Sequence, residues 1–347
     1  MASERCLTPS ELHVAFRSQP HLHILPPSSQ SFSVDRMNSG INTLFTSHLN
    51  MTPPPPDAIQ AFGLQGTPKP ISGGRGLCYI VGQTVFKPSD DDLLEQWVAE
   101  VVTKLLSRSP IAYRLAVPLS TVDEAGKYLF KGWTASSFVK GKPEIVGYFQ
   151  DIFRASRAFH ADLCELFEGK PKPAVVGKHL NRWNEADRVV WGEKRLEDVE
   201  NVNEEMLTHF QPLLDKLAKK MKPLSVDRTS YQLIHGDLMG NILFEESGDM
   251  PPAIIDLTFY WRPLEYSNAI VVSDGLTRMS QGADLVRLYV ADTQAELRIQ
   301  LLLRAMYWRA LSFTIDTDLE WVKEYLPMAD YEGAVEIVCC FVEGRGG

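Results

Sequence analysis

Leu233-Ile-His-Gly-Asp-Leu-Met-Gly-Asn-Ile-Leu-Phe244, followed closely by Ala253-Ile-Ile-Asp-Leu257, is the stretch from which the rest of this chain can be read. Two short apolar runs each deliver a carboxylate, Asp237 at the mouth of a loop and Asp256 at a strand end, with the amide of Asn241 between them. Transfer of a phosphoryl group from a nucleotide needs a carboxylate to orient the attacking hydroxyl, oxygen ligands for Mg²⁺ and a cation on the phosphates. The carboxylates and the amide occur in the order that chemistry uses, and a candidate cation, Lys87, lies upstream.

His235-Gly236-Asp237-Leu238, then Asn241, then Ile254-Ile255-Asp256, resembles the catalytic segment of the aminoglycoside phosphotransferase and choline kinase-like family. The resemblance covers nearly everything after Met51 and implies an α+β, two-lobed protein-kinase-like fold: a small β-rich N-lobe over 51–141 and a larger, mainly helical C-lobe over 142–347. It implies ATP and Mg²⁺ as cofactors, Asp237 as the catalytic residue, and Asn241 and Asp256 as metal ligands. The family usually places its Asn five positions after the Asp, whereas Asn241 is four positions on. Gly240, free to take a positive φ, is expected to close this tighter loop. His235 is expected to brace the loop and not to act as the base.

The same pattern assigns the upstream residues. Gly73, Gly74 and Gly76 precede a predicted strand–turn–strand with Gly82-Gln83 at the turn, and a glycine-rich turn lets backbone N–H groups approach phosphates. Lys87, just before Pro88, is the phosphate lysine the resemblance implies. Ser89 to Leu106 is an amphipathic helix with Ser89 or Asp90 as cap and acids in its first turn. Glu95 and Glu100 flank its apolar face on opposite sides, so periodicity does not choose the partner of Lys87; the resemblance favours Glu100. Ile111–Leu119 and Tyr128–Val139 read as strands, and Ser137 and Val139 stand where the family holds an adenine edge by backbone groups.

After Pro143, expected in a first helical turn, the character becomes helical over 145–169, 180–195 and 204–221, with His160 as a buried structural histidine. Amphipathic helices follow over 291–342. Phe259-Tyr-Trp-Arg-Pro263 reads as an aromatic-plus-arginine turn, and Asp316, Asp318 and Glu320 as solvated helix caps, or, as the resemblance implies, as contacts for a cationic acceptor. Leu257-Thr258 replaces the Phe-Gly of protein kinases, so a small-molecule hydroxyl is the expected acceptor. The alternative is a pseudokinase that binds nucleotide or a protein partner without catalysis, which the short Asp237–Asn241 loop favours.

Composition bounds the remaining classes. A net charge of −9 argues against a nucleic-acid or anionic-membrane binder. The 5 cysteines lack Cys-x-x-Cys spacing. No run approaches the ~20 apolar residues of a membrane span, and a cytoplasmic location is expected. Residues 1–50 read as a poorly ordered extension, and Met51 as an alternative start. Oligomeric state leaves no trace.

Overall fold

The computed structural model describes residues 52–71, 77–179, 181–224, 231–291, 294–315, 322–323 and 325–344. The chain divides between Lys140 and Gly141 into two compact units, the first sheet-rich and the second mainly helical.

In the first unit, α1 (Pro56–Ala61) starts with proline in its first turn, where no backbone donor is lost. It is followed by β1 (Lys69–Pro70), β2 (Tyr79–Val81), β3 (Thr84–Pro88), α2 (Asp92–Leu106), β4 (Arg114–Leu115), β5 (Leu129–Phe130) and β6 (Trp133–Ser137). Five strands form an antiparallel sheet in the order β1-β2-β3-β6-β5. Val81 pairs with Thr84, so the β2–β3 loop is Gly82-Gln83 as expected, with Gly82 at φ +62°. One side of the sheet buries Tyr79, Val81, Phe86 and Ala135 with Ile59 and Phe62 of the α1 region. Phe62 meets Phe86 edge-to-face with centroids 5.7 Å apart.

Three expectations are corrected here. Tyr128–Val139 is two strands, because Lys131 (φ +49°) and Gly132 (φ +75°) form a two-residue hairpin loop with both residues left-handed. Of Ile111–Leu119, only Arg114–Leu115 is strand; Pro110 and Pro118 lack the donors a ladder needs, and Ile111 is exposed. The cap of α2 is Asp91, whose carboxylate accepts from the N–H groups of Leu93 and Leu94.

The second unit comprises α3 (Phe149–Phe167), α4 (Arg182–Val190), α5 (Glu204–Lys220), β7 (Tyr231–His235), β8 (Ile242–Leu243), β9 (Ala253–Ile254), β10 (Phe259–Pro263), α6 (Tyr266–Arg278), α7 (Ala283–Tyr289), α8 (Ala295–Thr314) and α9 (Tyr331–Val342). Its first helix starts at Phe149, later than Pro143 suggests, because Gly147 takes φ +93° just before it. α8 is not amphipathic: Leu301, Leu302, Leu303, Met306, Trp308, Leu311 and Phe313 are all buried, so apolar residues surround the axis. It is the central helix of the unit, packed on α4, α5, α6 and α9. β7 and β10 form an antiparallel pair from Tyr231↔Pro263 to His235↔Phe259, which makes Phe259–Pro263 a strand and not a turn. β8 and β9 form a short hairpin, and Lys142 and Phe244 exchange two backbone bonds of 2.8 Å beside it.

Candidate active site

β7 ends at His235, and the chain turns sharply into the Asp237 loop. Gly236 is required there: a Cβ would stand 2.3 Å from Cδ2 of Tyr260, so the loop backbone lies directly on that ring. His235 is fully buried and fixes the loop from both sides. Its Nδ1 accepts from the Asp237 N–H at 3.2 Å, and its Nε2 donates to the Ile255 carbonyl at 3.4 Å. One imidazole therefore ties the Asp237 loop to the strand that leads into Asp256. Burial lowers its pKa, against the opposing pull of Asp237, which keeps the ring neutral in this role.

His160 on α3 supports His235 in turn. The backbone N–H of His235 donates to His160 Nε2 at 2.9 Å, so Nδ1 carries the proton and donates to the Ser156 carbonyl at 2.6 Å. Burial pushes the pKa of His160 down to about 3. Both histidines are braces, as the sequence indicates. Ser267 of α6 completes the frame by donating to the His235 carbonyl at 2.6 Å.

The short loop closes as a tight turn. Asn241 N–H donates to the Leu238 carbonyl at 3.0 Å, and Gly240 takes φ +79°, a value that costs glycine nothing. Asn241 then folds back. Its Nδ2 donates to the Asp237 carbonyl at 2.8 Å and lies 3.3 Å from Asp237 Oδ2. With the nitrogen turned to Asp237, the amide oxygen is the atom a cation would meet. The Asn241 carbonyl accepts from Ile255 N–H at 2.9 Å, and Asp256 follows immediately. Asp256 is exposed and sits at φ +49°, a left-handed conformation that Asp tolerates better than most residues and that recurs at functional sites. Asp237, Asn241 and the strand end bearing Asp256 are thus brought together by one histidine, one turn and one hairpin.

Such a donor set, an amide oxygen and a carboxylate, fits Mg²⁺, which keeps several waters and takes only one or two protein ligands plus phosphate oxygens. Among the described residues no three His, Cys, Asp or Glu side chains cluster as a metal site. A cage for zinc would need such a cluster, whereas a magnesium site of this kind does not.

Sequence reasoning missed Arg309. This residue of α8 donates through Nη2 to Asp237 Oδ1 at 2.9 Å and to Asp274 Oδ2 of α6 at 2.5 Å. Burial alone would weaken its charge, but Asp274 and Asp237 more than offset that and raise its pKa. The sequence pattern does not single it out: Arg304 stands in the same run, Leu301 to Phe313, and bonds instead to the Gln300 and Lys222 carbonyls.

In the first unit, Lys87 Nζ pairs with Glu95 Oε1 at 3.2 Å, which corrects the choice of Glu100. Glu100 instead accepts from Gln96 Nε2 at 2.9 Å. Five residues of helix turn the side chain by ~140°, so only one of the two glutamates can face the end of β3, and Glu95 in the first turn of α2 does. Ser137 is committed within the sheet: its N–H donates to the Val117 carbonyl and its hydroxyl accepts from Val117 N–H, both at 2.8 Å. That removes its backbone N–H from the adenine contact expected of it. Val139 is half-buried and lines a groove with Leu106, Tyr113 and Leu115. Gly73, Gly74 and Gly76, and likewise Asp316, Asp318 and Glu320, lie outside the described residues.

Phe259–Pro263 turns its side chains to structure. Phe259 and Tyr260 are buried, and Arg262 forms a fork with Asp187, Nε to Oδ1 at 3.2 Å and Nη2 to Oδ2 at 2.5 Å, with Glu193 on Nη1 at 2.6 Å.

No family model matches the chain, and no curated protein does. Solved structures do. A microcompartment-associated aminopropanol kinase shares 15% identity at a TM-score of 0.56 over 84% of this chain and 97% of that one. A thermostable mutant of an aminoglycoside phosphotransferase aligns at 13% identity and TM-score 0.49, covering 83% and 98% of the two chains. A spectinomycin phosphotransferase solved with ADP and spectinomycin aligns at 17% and 0.45, covering 81% and 94%. The chain has the α+β kinase-like fold of the aminopropanol kinase, a sheet-rich first part and a helical second part.

Proposed function

We propose that the protein is an ATP- and Mg²⁺-dependent phosphotransferase acting on a hydroxyl group of a small molecule. The observation that carries this reading is the Asp237–Asn241 turn: despite the short spacing, Gly240 lets Asn241 Nδ2 bond the Asp237 carbonyl, which leaves the amide oxygen to a cation beside the exposed carboxylate of Asp256.

Asp237 Oδ2 accepts a hydrogen bond from the acceptor hydroxyl and aligns its oxygen for attack on the γ-phosphorus; as that bond forms and the bond to the leaving diphosphate breaks, the proton passes to Asp237. Asn241 and Asp256 would hold Mg²⁺, which neutralises charge on the β- and γ-phosphates when bound. Lys87, anchored by Glu95, supplies a further positive charge for the phosphates. The glycines at 73, 74 and 76 offer backbone N–H groups to them, and Val139 offers backbone groups to the base. Among the described residues no helix is long and apolar enough to cross a membrane.

The test is transfer of radiolabelled phosphate from ATP to short amino alcohols, the acceptor class named by the aminopropanol kinase, and to aminoglycosides and other hydroxylated amines. Asp237→Asn is expected to fold, to bind nucleotide, and to lose transfer by roughly 10³-fold or more, the scale on which loss of an orienting base acts. Near-wild-type turnover in the variant would remove Asp237 from the mechanism. Mg²⁺-dependent nucleotide binding without transfer to any acceptor would make the protein a nucleotide-binding module instead.

A further inference from the structure

We propose that Arg309 is a positioning residue for the Asp237 carboxylate: it occupies Oδ1 and thereby presents Oδ2 to the acceptor hydroxyl. This inference rests on the phosphotransferase reading and adds to it a residue 72 positions from Asp237 in the chain.

The first argument is rigidity. Arg309 is 4% exposed and Asp274 is 0% exposed, while the Asp237 side chain is 41% exposed. The buried end of the contact is therefore fixed and the exposed end takes its orientation from it. The Arg309 guanidinium carbon lies 4.4 Å from the Trp308 ring centroid and 5.5 Å from that of Trp183. The Trp308 indole is held to the Trp183 backbone, its Nε1 donating to the Trp183 carbonyl at 2.9 Å, and the two rings lie 5.9 Å apart. Trp308 also meets Tyr260 edge-to-face at 5.8 Å, and Tyr260 is the ring on which Gly236 lies. Contacts thus run in a closed circuit from Gly236 through Tyr260, Trp308 and Arg309 back to Asp237.

The second argument is the form of the bond. A buried arginine–carboxylate pair is frequently made through two nitrogens, as Arg262 makes it with Asp187 through Nε and Nη2. Arg309 forgoes that geometry. Its Nε has no hydrogen-bond partner, nor has Asp274 Oδ1, and one nitrogen, Nη2, is shared between Asp274 and Asp237. Leaving two buried polar atoms unpaired costs stability. The arrangement accepts that cost and gains a fixed donor on Asp237 Oδ1. Rotation of the carboxylate about its last bond would break this contact, so Oδ2 stays in place 3.3 Å from Asn241 Nδ2 on a side chain that is 41% exposed.

Replacing Arg309 alone would strand the Asp274 charge in the interior and destabilise the unit for that reason only. The test therefore pairs it: Arg309→Met with Asp274→Leu removes both buried charges and leaves Asp237 without its donor. Arg309→Lys is the conservative companion. Transfer is measured with ATP and Mg²⁺ to the best acceptor of the panel above, or to water if hydrolysis is the only turnover, in the wild-type and Asp237→Asn backgrounds. The expected result is a fall in kcat of about tenfold to a hundredfold in the folded pair variant, the scale of a small misplacement of a catalytic group, with nucleotide affinity and acceptor KM changed less than about threefold. Arg309→Lys is expected to recover part of the loss, and in the Asp237→Asn background the pair variant is expected to lower kcat no further. An equal loss in both backgrounds, or no loss in either, would overturn the positioning role while leaving the phosphotransferase reading intact. No transfer by the wild type to any acceptor or to water would overturn that reading, and this inference with it.

Discussion

Arg262 and Arg309 lie in the same helical unit, each with its charge buried and each held by an aspartate from another element. Arg262 is 3% exposed and forms a two-point fork with Asp187, with Glu193 and the Trp191 ring, 5.0 Å away, completing its surroundings. Its side-chain partners close β10 onto α4 and the residues after it, away from the Asp237 loop. Arg309 makes a poorer pair with Asp274 and a second bond to Asp237. The difference teaches where to look among buried charges: Arg262 closes a complete two-point fork, whereas Arg309 leaves its Nε unpaired and reaches the half-exposed carboxylate of Asp237, which is the ground of the positioning role proposed above.

The largest effect that sharpens this contrast is at Arg262. Arg262→Met alone leaves the Asp187 charge buried and unpaired and is expected to cost about 3–5 kcal/mol of stability. Arg262→Met with Asp187→Leu is expected to restore most of it without altering kcat. Urea denaturation alongside turnover checks this, and a loss of kcat in the folded double variant would erase the distinction between the two arginines.

The next effect concerns the braces behind the loop. Burial holds the pKa of His160 at about 3 and lowers that of His235, against 6.5 for a free ring. Below about pH 6.5 the unfolded chain takes up protons on these rings while the folded chain does not. Stability is therefore complete above that pH and falls as pH drops, down to about 3 for His160, by up to ~1.4 kcal/mol per pH unit for a histidine that stays neutral in the fold. Denaturation midpoints between pH 7 and 4 measure the slope. His160→Gln is expected to flatten it, and an unchanged slope would remove His160 as a source.

Gly240→Ala comes next. It is expected to cost roughly 1 kcal/mol because φ +79° is strained for any side chain. It is also expected to lower kcat more than its small stability loss explains, since Asn241 follows directly. The smallest effect separates Glu95 from Glu100. Glu95→Gln is expected to weaken nucleotide binding a few-fold by freeing Lys87, a contribution of about 1 kcal/mol or less for a partly exposed pair, while Glu100→Gln leaves binding unchanged. Equal effects would undo the assignment made from the 3.2 Å contact.

These comparisons also show what was legible in the sequence. The convergence of Asp237, Asn241 and the strand end bearing Asp256 was, because a single short stretch holds all three. Gly240 was legible too, since a missing loop residue demands a left-handed position. Arg309 was not: its partners lie on β7's loop and on α6, and only the packing of α8 between them brings the three together. Glu95 and Glu100 flank one helix face equally, and the choice depends on how α2 follows β3, which periodicity does not encode. The Lys131-Gly132 hairpin was read through as strand because Lys is an uncommon residue in a left-handed turn.

The central claim is a working metal–nucleotide site built on Asn241 and Asp256. It is tested most directly by calorimetric titration with a non-hydrolysable ATP analogue, with and without Mg²⁺, in the wild type and in Asp256→Asn. The account predicts binding that Mg²⁺ strengthens in the wild type and that loses its Mg²⁺ dependence in the variant. No binding, or binding indifferent to both metal and substitution, would contradict it.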